Sequence, residues 1–322
     1  MGKEKRIKVI MDCDPGHDDA IALLLASRAD NIQILGVTAV QGNSGVEYTA
    51  RNARRILDYA GATDIQVYKG CPRPMMRDQY RLTGIAIHGE DGLGGPYIPE
   101  PVTPIKEEHA VNFIINTLRA SREKVTLVPT GPLTNIAAAF ILAPDIKEKI
   151  ERIIIMGGAV RMEGNINSSN EFNFFLDPEA AKIVLNSGCR IYINTLDVTM
   201  KAEFKREDVE RLRAQGDKLS VITAELMDFF GKGHEDLFNF FTIPVHDAVC
   251  VGVLIDEKLV EYDFVWGDIS IKDELTAGEL VADIWHLTDK QPNCYISRKI
   301  DTQKFINMIC DHMKKPYVSK YI

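Results

Sequence analysis

The stretch VIMDCDPGHDDAIALLLA, residues 9–26, joins two apolar runs through a short acidic segment. It places Asp12, Asp14, Asp18 and Asp19 within eight residues. The first apolar run has the continuous character of a strand that is covered on both faces, and the second suits a buried helix. A Pro-Gly pair between them makes a turn. The stretch therefore predicts strand, turn and helix, with four carboxylates gathered at the junction.

Strand and helix patterns alternate along most of the chain. The predicted strands are 6–11, 32–40, 124–129, 152–156 and 190–196, and the predicted helices are 18–28, 46–60, 133–143 and 178–186. This βαβα order indicates an α/β fold of Rossmann-like type, with an open, mainly parallel sheet and helices on both faces. In such sheets ligands bind beyond the carboxyl ends of the strands.

The pattern changes after residue 205. Residues 206–237 are predicted to be mostly helical, with breaks at Gly216 and at 231–233, and a further helix is predicted at 245–255. Short strands between 258 and 300 predict a small antiparallel extension near the C-terminus. A terminal helix is predicted at 301–313, with Asp301 as its N-cap. No linker is evident, so residues 1–322 are expected to form a single domain.

The amino-acid composition limits the kinds of molecule that the protein is expected to bind. Lysine and arginine total 38 against 46 aspartates and glutamates, which gives a formal charge of −8. That balance disfavours binding to nucleic acid or to an anionic membrane and favours a small-molecule partner. The six cysteines are scattered without CxxC spacing, which is typical of reduced thiols in the cytoplasm. No targeting segment or membrane-length apolar run is found, so a cytoplasmic protein is expected.

The four aspartates need a physical explanation. Helix capping and the positive end of a helix account for one or two carboxylates. A bound divalent cation would offset the repulsion among all four, and a set of oxygen ligands favours Ca²⁺ or Mg²⁺ over Zn²⁺. Capping combined with ordinary surface charge is the alternative. Strand-end DxD pairs also occur in Mg²⁺-dependent phosphotransferases, so this stretch alone names no reaction.

Other polar groups are predicted at the same edge of the sheet. They follow later strands or begin later helices, and each fragment alone could be only a polar loop or a capped helix. The candidates are Asn43, the carbonyl of Thr130, Asn165, Glu171, Asn173, His246 and Asp247. Taken together, carboxylates and amides at one edge suit a sugar that is bound to a metal.

Four motifs in order carry a specific resemblance. DCDPGHDDAIALLLA (12–26), PTGPLTNIA (129–137), GNINSSNEFNFFLDPEAA (164–181) and PVHDA (244–248) make the chain resemble the inosine–uridine preferring nucleoside hydrolase family. The resemblance implies the nucleoside hydrolase type of α/β sheet and hydrolysis of the N-glycosidic bond of ribonucleosides to ribose and free base. It also implies a bound Ca²⁺, a role in nucleoside salvage, and assembly as a homodimer or homotetramer.

The resemblance also implies roles for individual residues. The metal ligands would be the side chains of Asp14, Asp19 and Asp247 and the carbonyl of Thr130. Asp14 would also be the general base for a calcium-bound water, with Asp12 behind the ligands. The ribose would be held by Asp18, Asn43, Asn165, Glu171, Asn173 and Asp247.

The departing base needs a proton or strong hydrogen bonds, and histidine is suited to supply them. His246 is the first candidate acid and His88, in a glycine-rich loop, is the second. Candidates for contact with the base are Phe172, Phe230, His234 and Phe238. The last three share one helix face by their i, i+4, i+8 spacing, although a simple core stripe would give the same pattern. His17 lies inside the first motif at a position expected to vary.

Base preference is the least determined property. Pyrimidine-specific relatives tend to carry Gln and Tyr in the base-contact region and purine-tolerant ones Tyr and Arg, whereas this chain has Phe, His and Phe. Broad use of inosine and uridine is expected, and a pyrimidine-specific ribonucleoside hydrolase is the alternative. A Mg²⁺-dependent phosphohydrolase and a non-catalytic, metal-dependent ribose or nucleoside binding module are the competing functions from other classes.

Overall fold

A mainly parallel sheet organises the computed structural model, which describes residues 6–78, 87–239 and 242–320. The strands of the described residues are β1 Ile7–Cys13, β2 Ile32–Ala39, β3 Val67–Lys69, β4 Val125–Pro129, β5 Ile150–Met156, β6 Ile191–Asn194, β7 Val260–Val265, β8 Gly267–Ile269, β9 Leu280–Ala282 and β10 Cys294–Ile300. The main sheet has the order β3-β2-β1-β4-β5-β6-β10-β7, and β8 pairs with β9 in a separate antiparallel ribbon.

The strand order reverses between β1 and β4. Asp12 of β1 pairs in register with Thr38 of β2 on one side and with Pro129 of β4 on the other. A crevice outside the carboxyl ends of strands at such a reversal is the usual ligand site of an open α/β sheet. The residues that follow β1, β2 and β4 therefore start next to one another.

Helices cover both faces of the sheet, as predicted. They are α1 His17–Arg28, α2 Val46–Tyr59, α3 Ala110–Ala120, α4 Thr134–Leu142, α5 Phe172–Leu176, α6 Pro178–Leu185, α7 Leu196–Thr199, α8 Arg206–Arg213, α9 Lys218–Phe238, α10 Ala248–Ile255 and α11 Thr302–Met313. One apolar core includes Leu24 of α1, Val251 of α10 and Phe305 of α11. The other includes Ile114 of α3 and Ile136 of α4.

The C-terminal region confirms the predicted antiparallel extension, with one difference. β7 runs antiparallel to β10, and β8 and β9 form their own ribbon. However, β10 also pairs parallel to β6, with Tyr295 opposite Tyr192, so it belongs to the main sheet. The predicted cap of the last helix is present, because the Asp301 side chain accepts a hydrogen bond from the Lys304 amide at 3.1 Å.

The predicted helix break at residues 231–233 is wrong. Helix α9 runs without interruption from Lys218 to Phe238. A Cβ on Gly233 would lie 2.9 Å from the carbonyl oxygen of Ile87. The glycine therefore allows the helix to approach the segment before His88, and it does not end the helix. The elements that were not predicted include β3, α3, α5 and α7. Strand β3 and the short helices α5 and α7 have too few residues to give a pattern, whereas α3 has buried residues at helical spacing that could have revealed it.

All six cysteines are free thiols, as the sequence predicted. Within the described residues, we find no helix that combines the length and the apolar character needed to cross a bilayer.

Truncation of a buried leucine measures the contribution of the α1 face to stability. Leu24 is 0% exposed, so Leu24→Ala is expected to lower the free energy of unfolding by about 3 to 5 kcal/mol through lost burial and a residual cavity. Urea unfolding followed by circular dichroism measures the change. Leu287 is 83% exposed, and the same substitution there should change stability by less than about 0.5 kcal/mol. Equal losses at both positions would contradict this packing.

Candidate active site

Asp14 lies at the point where three loops meet. It follows β1 directly, is 1% exposed, and accepts a hydrogen bond from the Asn43 amide at its Oδ2, 2.7 Å away. Its carboxylate lies against Gly42 and Gly131, where any added Cβ would overlap it. The loops after β2 and β4 thus fix the carboxylate that follows β1.

Three further aspartates form a buried cluster next to it. Asp18 and Asp19 are in the first turn of α1, and Asp247 immediately precedes α10. One carboxylate oxygen from each lies within 4.8 Å of the others. Asp19 also accepts a hydrogen bond from the Thr130 hydroxyl at 2.6 Å, which connects the cluster to the end of β4.

Burial is the main cause of the raised pKa values of these four aspartates. It raises the pKa of Asp18 to about 7 and that of Asp19 to about 6, and it holds the pKa values of Asp14 and Asp247 well above their usual range. The neighbouring carboxylates add to the increase for Asp14, Asp18 and Asp247. In the part of the chain that the structure describes, no lysine or arginine forms an ion pair with any of the four.

These residues fit a divalent cation. The donors are all oxygen atoms, which hard cations such as Ca²⁺ and Mg²⁺ prefer, and a dication would offset the burial of like charges. The ligands implied by the resemblance were Asp14, Asp19 and Asp247, whereas the three carboxylates that meet most closely are Asp18, Asp19 and Asp247. Asp14 lies beside them, and repulsion from the Asp19 carboxylate helps to raise its pKa.

Asp12 is in β1 and does not line the cavity that is described below. Its Oδ1 accepts hydrogen bonds from Thr38 at 2.6 Å and from Asn135 at 2.8 Å. Its Oδ2 is buried and has no hydrogen-bond partner among the described residues. Burial raises the pKa of Asp12 to about 7.

Asn165, Glu171 and Asn173, which lie before and at the start of α5, form a polar wall of the site. The Glu171 side chain accepts hydrogen bonds from the backbone amides of Gly158, Asn173 and Phe174, at 3.0, 2.8 and 3.2 Å. Burial raises the pKa of Glu171 to about 7. The Asn173 amide donates to the Thr130 carbonyl at 2.7 Å, so the wall is tied to the loop that contacts Asp14 and Asp19.

These groups border a cavity of about 300 Å³. The predicted residues that line it are Asp18, Asn43, His88, Thr130, Asn165, Glu171, Phe172, Asn173, Phe230, His234, His246 and Asp247. Asp14 and Asp19 do not line the cavity but bond to residues that do. The side chain of Phe238 lies outside the described residues. Asn165 is exposed and accepts a hydrogen bond from the Phe172 amide at 2.9 Å.

An apolar portion of the cavity was not predicted. It is formed by Ile87, Met156, Met162, Leu196, Met200 and the predicted Phe230. These residues come from separate loops, strands and helices, so no local pattern in the sequence links them. They give the cavity a surface on which a planar ring can pack.

Histidines occupy the side of the cavity next to this apolar portion. His246 shares a hydrogen bond with the Thr199 hydroxyl at 2.8 Å, and burial lowers its pKa to about 3. Burial also lowers the pKa of His88 and of His234, whose ring meets Phe230 edge-on. His17, to which the sequence assigned no role, is fully buried and contacts His88.

Comparison with known proteins decides the family. The model of the family described as inosine-uridine preferring nucleoside hydrolase matches residues 9–307. The chain belongs to this family. The predicted family and the predicted enzyme class, a nucleoside hydrolase, are therefore confirmed.

Three similar proteins differ in base preference. A pyrimidine-specific ribonucleoside hydrolase RihA from Shigella boydii serotype 4 is 40% identical over 309 residues, covering 96% of this nucleoside hydrolase and 98% of that protein. The structure of a purine-preferring ribonucleoside hydrolase from Gardnerella vaginalis matches with a TM-score of 0.89 at 31% identity, over 95% of this chain and 98% of that one. An inosine-guanosine nucleoside hydrolase matches with a TM-score of 0.87 at 27% identity, over 98% and 100%.

The contact between Asp14 and Gly131 can be tested with one methyl group. An added Cβ at Gly131 would lie 2.9 Å from the carboxyl carbon of Asp14, so Gly131→Ala should displace the carboxylate. We expect kcat/KM for a ribonucleoside to fall by about 100-fold, since small misplacements of catalytic groups have large effects. Gly45→Ala is the matched control, because nothing lies within 4 Å of its Cβ position. Unchanged hydrolysis by Gly131→Ala in a folded protein would show that this contact does not fix Asp14.

Proposed function

We propose that this nucleoside hydrolase cleaves the N-glycosidic bond of ribonucleosides in the 300 Å³ cavity, with Asp14 as general base. The observation that carries the proposal is the buried carboxylate cluster on one side of the cavity, joined by amides to the polar wall. Carboxylates stabilise positive charge on a sugar, and amides and carboxylates together bind its hydroxyls.

We propose Ca²⁺ as the metal. Asp14, Asp19 and Asp247 would hold it with their side chains and Thr130 with its carbonyl, and Asp18 lies close enough to contribute. Calcium accepts six to eight oxygen ligands in flexible geometry, which suits a crowded group of carboxylates. When bound, the ion would lower the pKa of the attacking water and bind hydroxyls of the ribose.

Asp14 would take the proton from the attacking water. Its carboxylate is held by the Asn43 amide and by close contact with Gly42 and Gly131, so its position is fixed before substrate binds. Departure of the base leaves positive charge on the ribosyl ring, as in other glycosyl transfers. No lysine or arginine is present among the described residues that line the cavity, so the cavity favours that charge. The same absence disfavours a phosphohydrolase, which needs a cationic phosphate clamp.

The ribose would be held from two sides. Asp18, Asn43 and Asp247 border the cluster, whereas Asn165, Glu171 and Asn173 belong to the polar wall. Glu171 and Asn173 are themselves fixed by backbone hydrogen bonds, which reduces the entropy lost when a sugar binds.

The base would occupy the apolar portion of the cavity, with His88 and His246 as the candidate donors to it. Apolar surfaces discriminate weakly between planar rings, which supports broad use of uridine and inosine. A pyrimidine-specific preference is the second candidate, favoured by the RihA relative at 40% identity. Contact of Phe172, Phe230 and His234 with the base belongs to the same proposal.

Replacement of the Asp14 carboxylate tests the assignment of this residue as the general base. Asp14→Asn should lower kcat by at least about 1,000-fold while the far-ultraviolet circular dichroism stays unchanged, because general-base catalysis is lost and a ligand is weakened. Asp145 is an exposed aspartate paired with Arg119, so Asp145→Asn is the control and should retain full turnover. Unimpaired hydrolysis by Asp14→Asn would exclude this residue as the base.

Calcium withdrawal tests the reaction and the metal together. Purified protein is treated with EGTA, desalted and assayed for reducing sugar with uridine, cytidine, inosine and adenosine. Ribose release should be lost with EGTA and restored by CaCl₂ more fully than by MgCl₂. Relative kcat/KM values then separate broad from pyrimidine-specific use. If the folded, calcium-supplied protein bound nucleosides but released no ribose, the non-catalytic binding module would be the better assignment.

A further inference from the structure

A second concave surface of the protein is lined mainly by basic side chains. It has a volume of about 630 Å³, and we call it the basic groove. Three glutamates line it together with six cations, which are Arg6, Lys8, Arg122, Lys124, Arg152 and Arg190. Six cations and three carboxylates give the basic groove a net formal charge of +3, whereas the whole chain carries −8.

The basic groove lies at the amino ends of four neighbouring strands. These strands are parallel and have the order β1-β4-β5-β6. The cations at their amino ends are Arg6 and Lys8 at β1, Lys124 before β4, Arg152 in β5 and Arg190 before β6. The acidic cavity lies at the opposite edge, beyond the carboxyl ends. Since strands in a sheet are about 4.8 Å apart, the four strands span about 14 Å, which suits a small ligand.

Most of the positive charge in the basic groove has no carboxylate partner. Lys8 pairs with Glu123 at 2.8 Å, and Arg152 pairs with Glu257 at 2.6 Å. The other four cations form no ion pair within the described residues, and neither does the third glutamate, Glu151. A net charge of +3 therefore remains after these pairs are formed. Repulsion among these like charges would be reduced by a bound anion.

Two of the arginines are held in place by a tyrosine ring. The guanidinium carbons of Arg152 and Arg190 lie 6.0 and 5.3 Å from the centre of the Tyr192 ring, and that of Arg190 lies 5.5 Å from the Tyr295 ring. Stacking of this kind uses the flat face of a guanidinium and leaves its in-plane N–H groups for an anion. A side chain that is already positioned loses less entropy when a ligand binds.

The arrangement of the cations favours linked phosphates over a single anion. Arginine presents parallel N–H donors that match two oxygens of a phosphate group. One carboxylate or one phosphate would engage one or two of the cations. A chain of phosphates reaches cations from several strands and compensates more of the charge.

We propose that the basic groove is a second binding site, which takes an oligophosphate, that is, two or more linked phosphate groups, either free or carried by a nucleotide. This site is separate from the acidic cavity. The inference goes beyond the proposed hydrolysis and does not depend on it.

Reversal of two charges in the basic groove tests the proposal. Arg122 and Lys124 are exposed, so Arg122→Glu/Lys124→Glu should leave the fold intact. Isothermal titration calorimetry with inorganic tripolyphosphate on the calcium-supplied protein should show wild-type binding that this double variant weakens by at least about 10-fold, because two attractive contacts become repulsive. Arg190→Lys keeps the charge but loses the planar donors, and it should weaken binding by about 3-fold.

A matched control separates the basic groove from the overall charge. Arg73 and Lys272 are exposed and do not line the groove, so Arg73→Glu/Lys272→Glu makes the same change in net charge and should alter the Kd by less than about 2-fold. Tripolyphosphate also binds calcium, but all the variants keep the four aspartates, so this contribution is the same in each protein. Both double variants should hydrolyse uridine at the wild-type rate.

ADP provides the second probe. If ADP binds the groove as tightly as tripolyphosphate and is lost in the same double variant, the phosphates of a nucleotide are the source. Much weaker ADP binding would identify free oligophosphate as the ligand.

Three results would overturn the inference. The first is a folded wild-type protein that does not bind tripolyphosphate. The second is unchanged binding by Arg122→Glu/Lys124→Glu, and the third is equal weakening in both double variants, which would indicate attraction by overall charge. A wild-type protein that binds tripolyphosphate but releases no ribose from any nucleoside would instead overturn the proposed function and leave this inference standing.

Discussion

The burial of four like-charged side chains near the carboxyl end of β1 is the constraint on which the site depends. Asp14, Asp18, Asp19 and Asp247 lie in the protein interior with raised pKa values and, within the described residues, without a lysine or arginine partner. Isolated, such an arrangement costs folding free energy, since buried charges are stable only when they are compensated. A metal ion and a positively charged transition state would compensate for this cost in folding free energy.

The two sides of the site carry residues of different chemical character. Carboxylates on one side suit proton removal from water and stabilisation of the sugar cation. On the other side, the rings of His88 and Phe230 line the cavity and stack at a centroid distance of 5.3 Å. The turn at Gly16 connects the two sides, because Asp14 precedes it and His17, which stacks on His88, follows it.

The degree to which the sequence predicted the site varies with the kind of signal. The motif residues Asp18, Asn173 and Asp247 line one cavity, because strand ends in a parallel sheet converge on one edge. Gly233 was misinterpreted, because a glycine that breaks a helix and a glycine that allows close approach look the same in sequence. His17 was overlooked, because its partners Gly94 and His88 lie more than 70 residues away along the chain.

The fold class, the acidic cluster and the family follow from the order of residues along the chain, since apolar periodicity and motif spacing are local properties of that order. Which atoms meet follows from the way the chain folds. Folding placed the Asp14 carboxylate between Gly42 and Gly131, built the apolar portion of the cavity from separate segments, and joined His17 to His88. Hydrogen bonds and packing depend on distances of a few ångströms between residues far apart in the chain, and sequence order does not contain those distances.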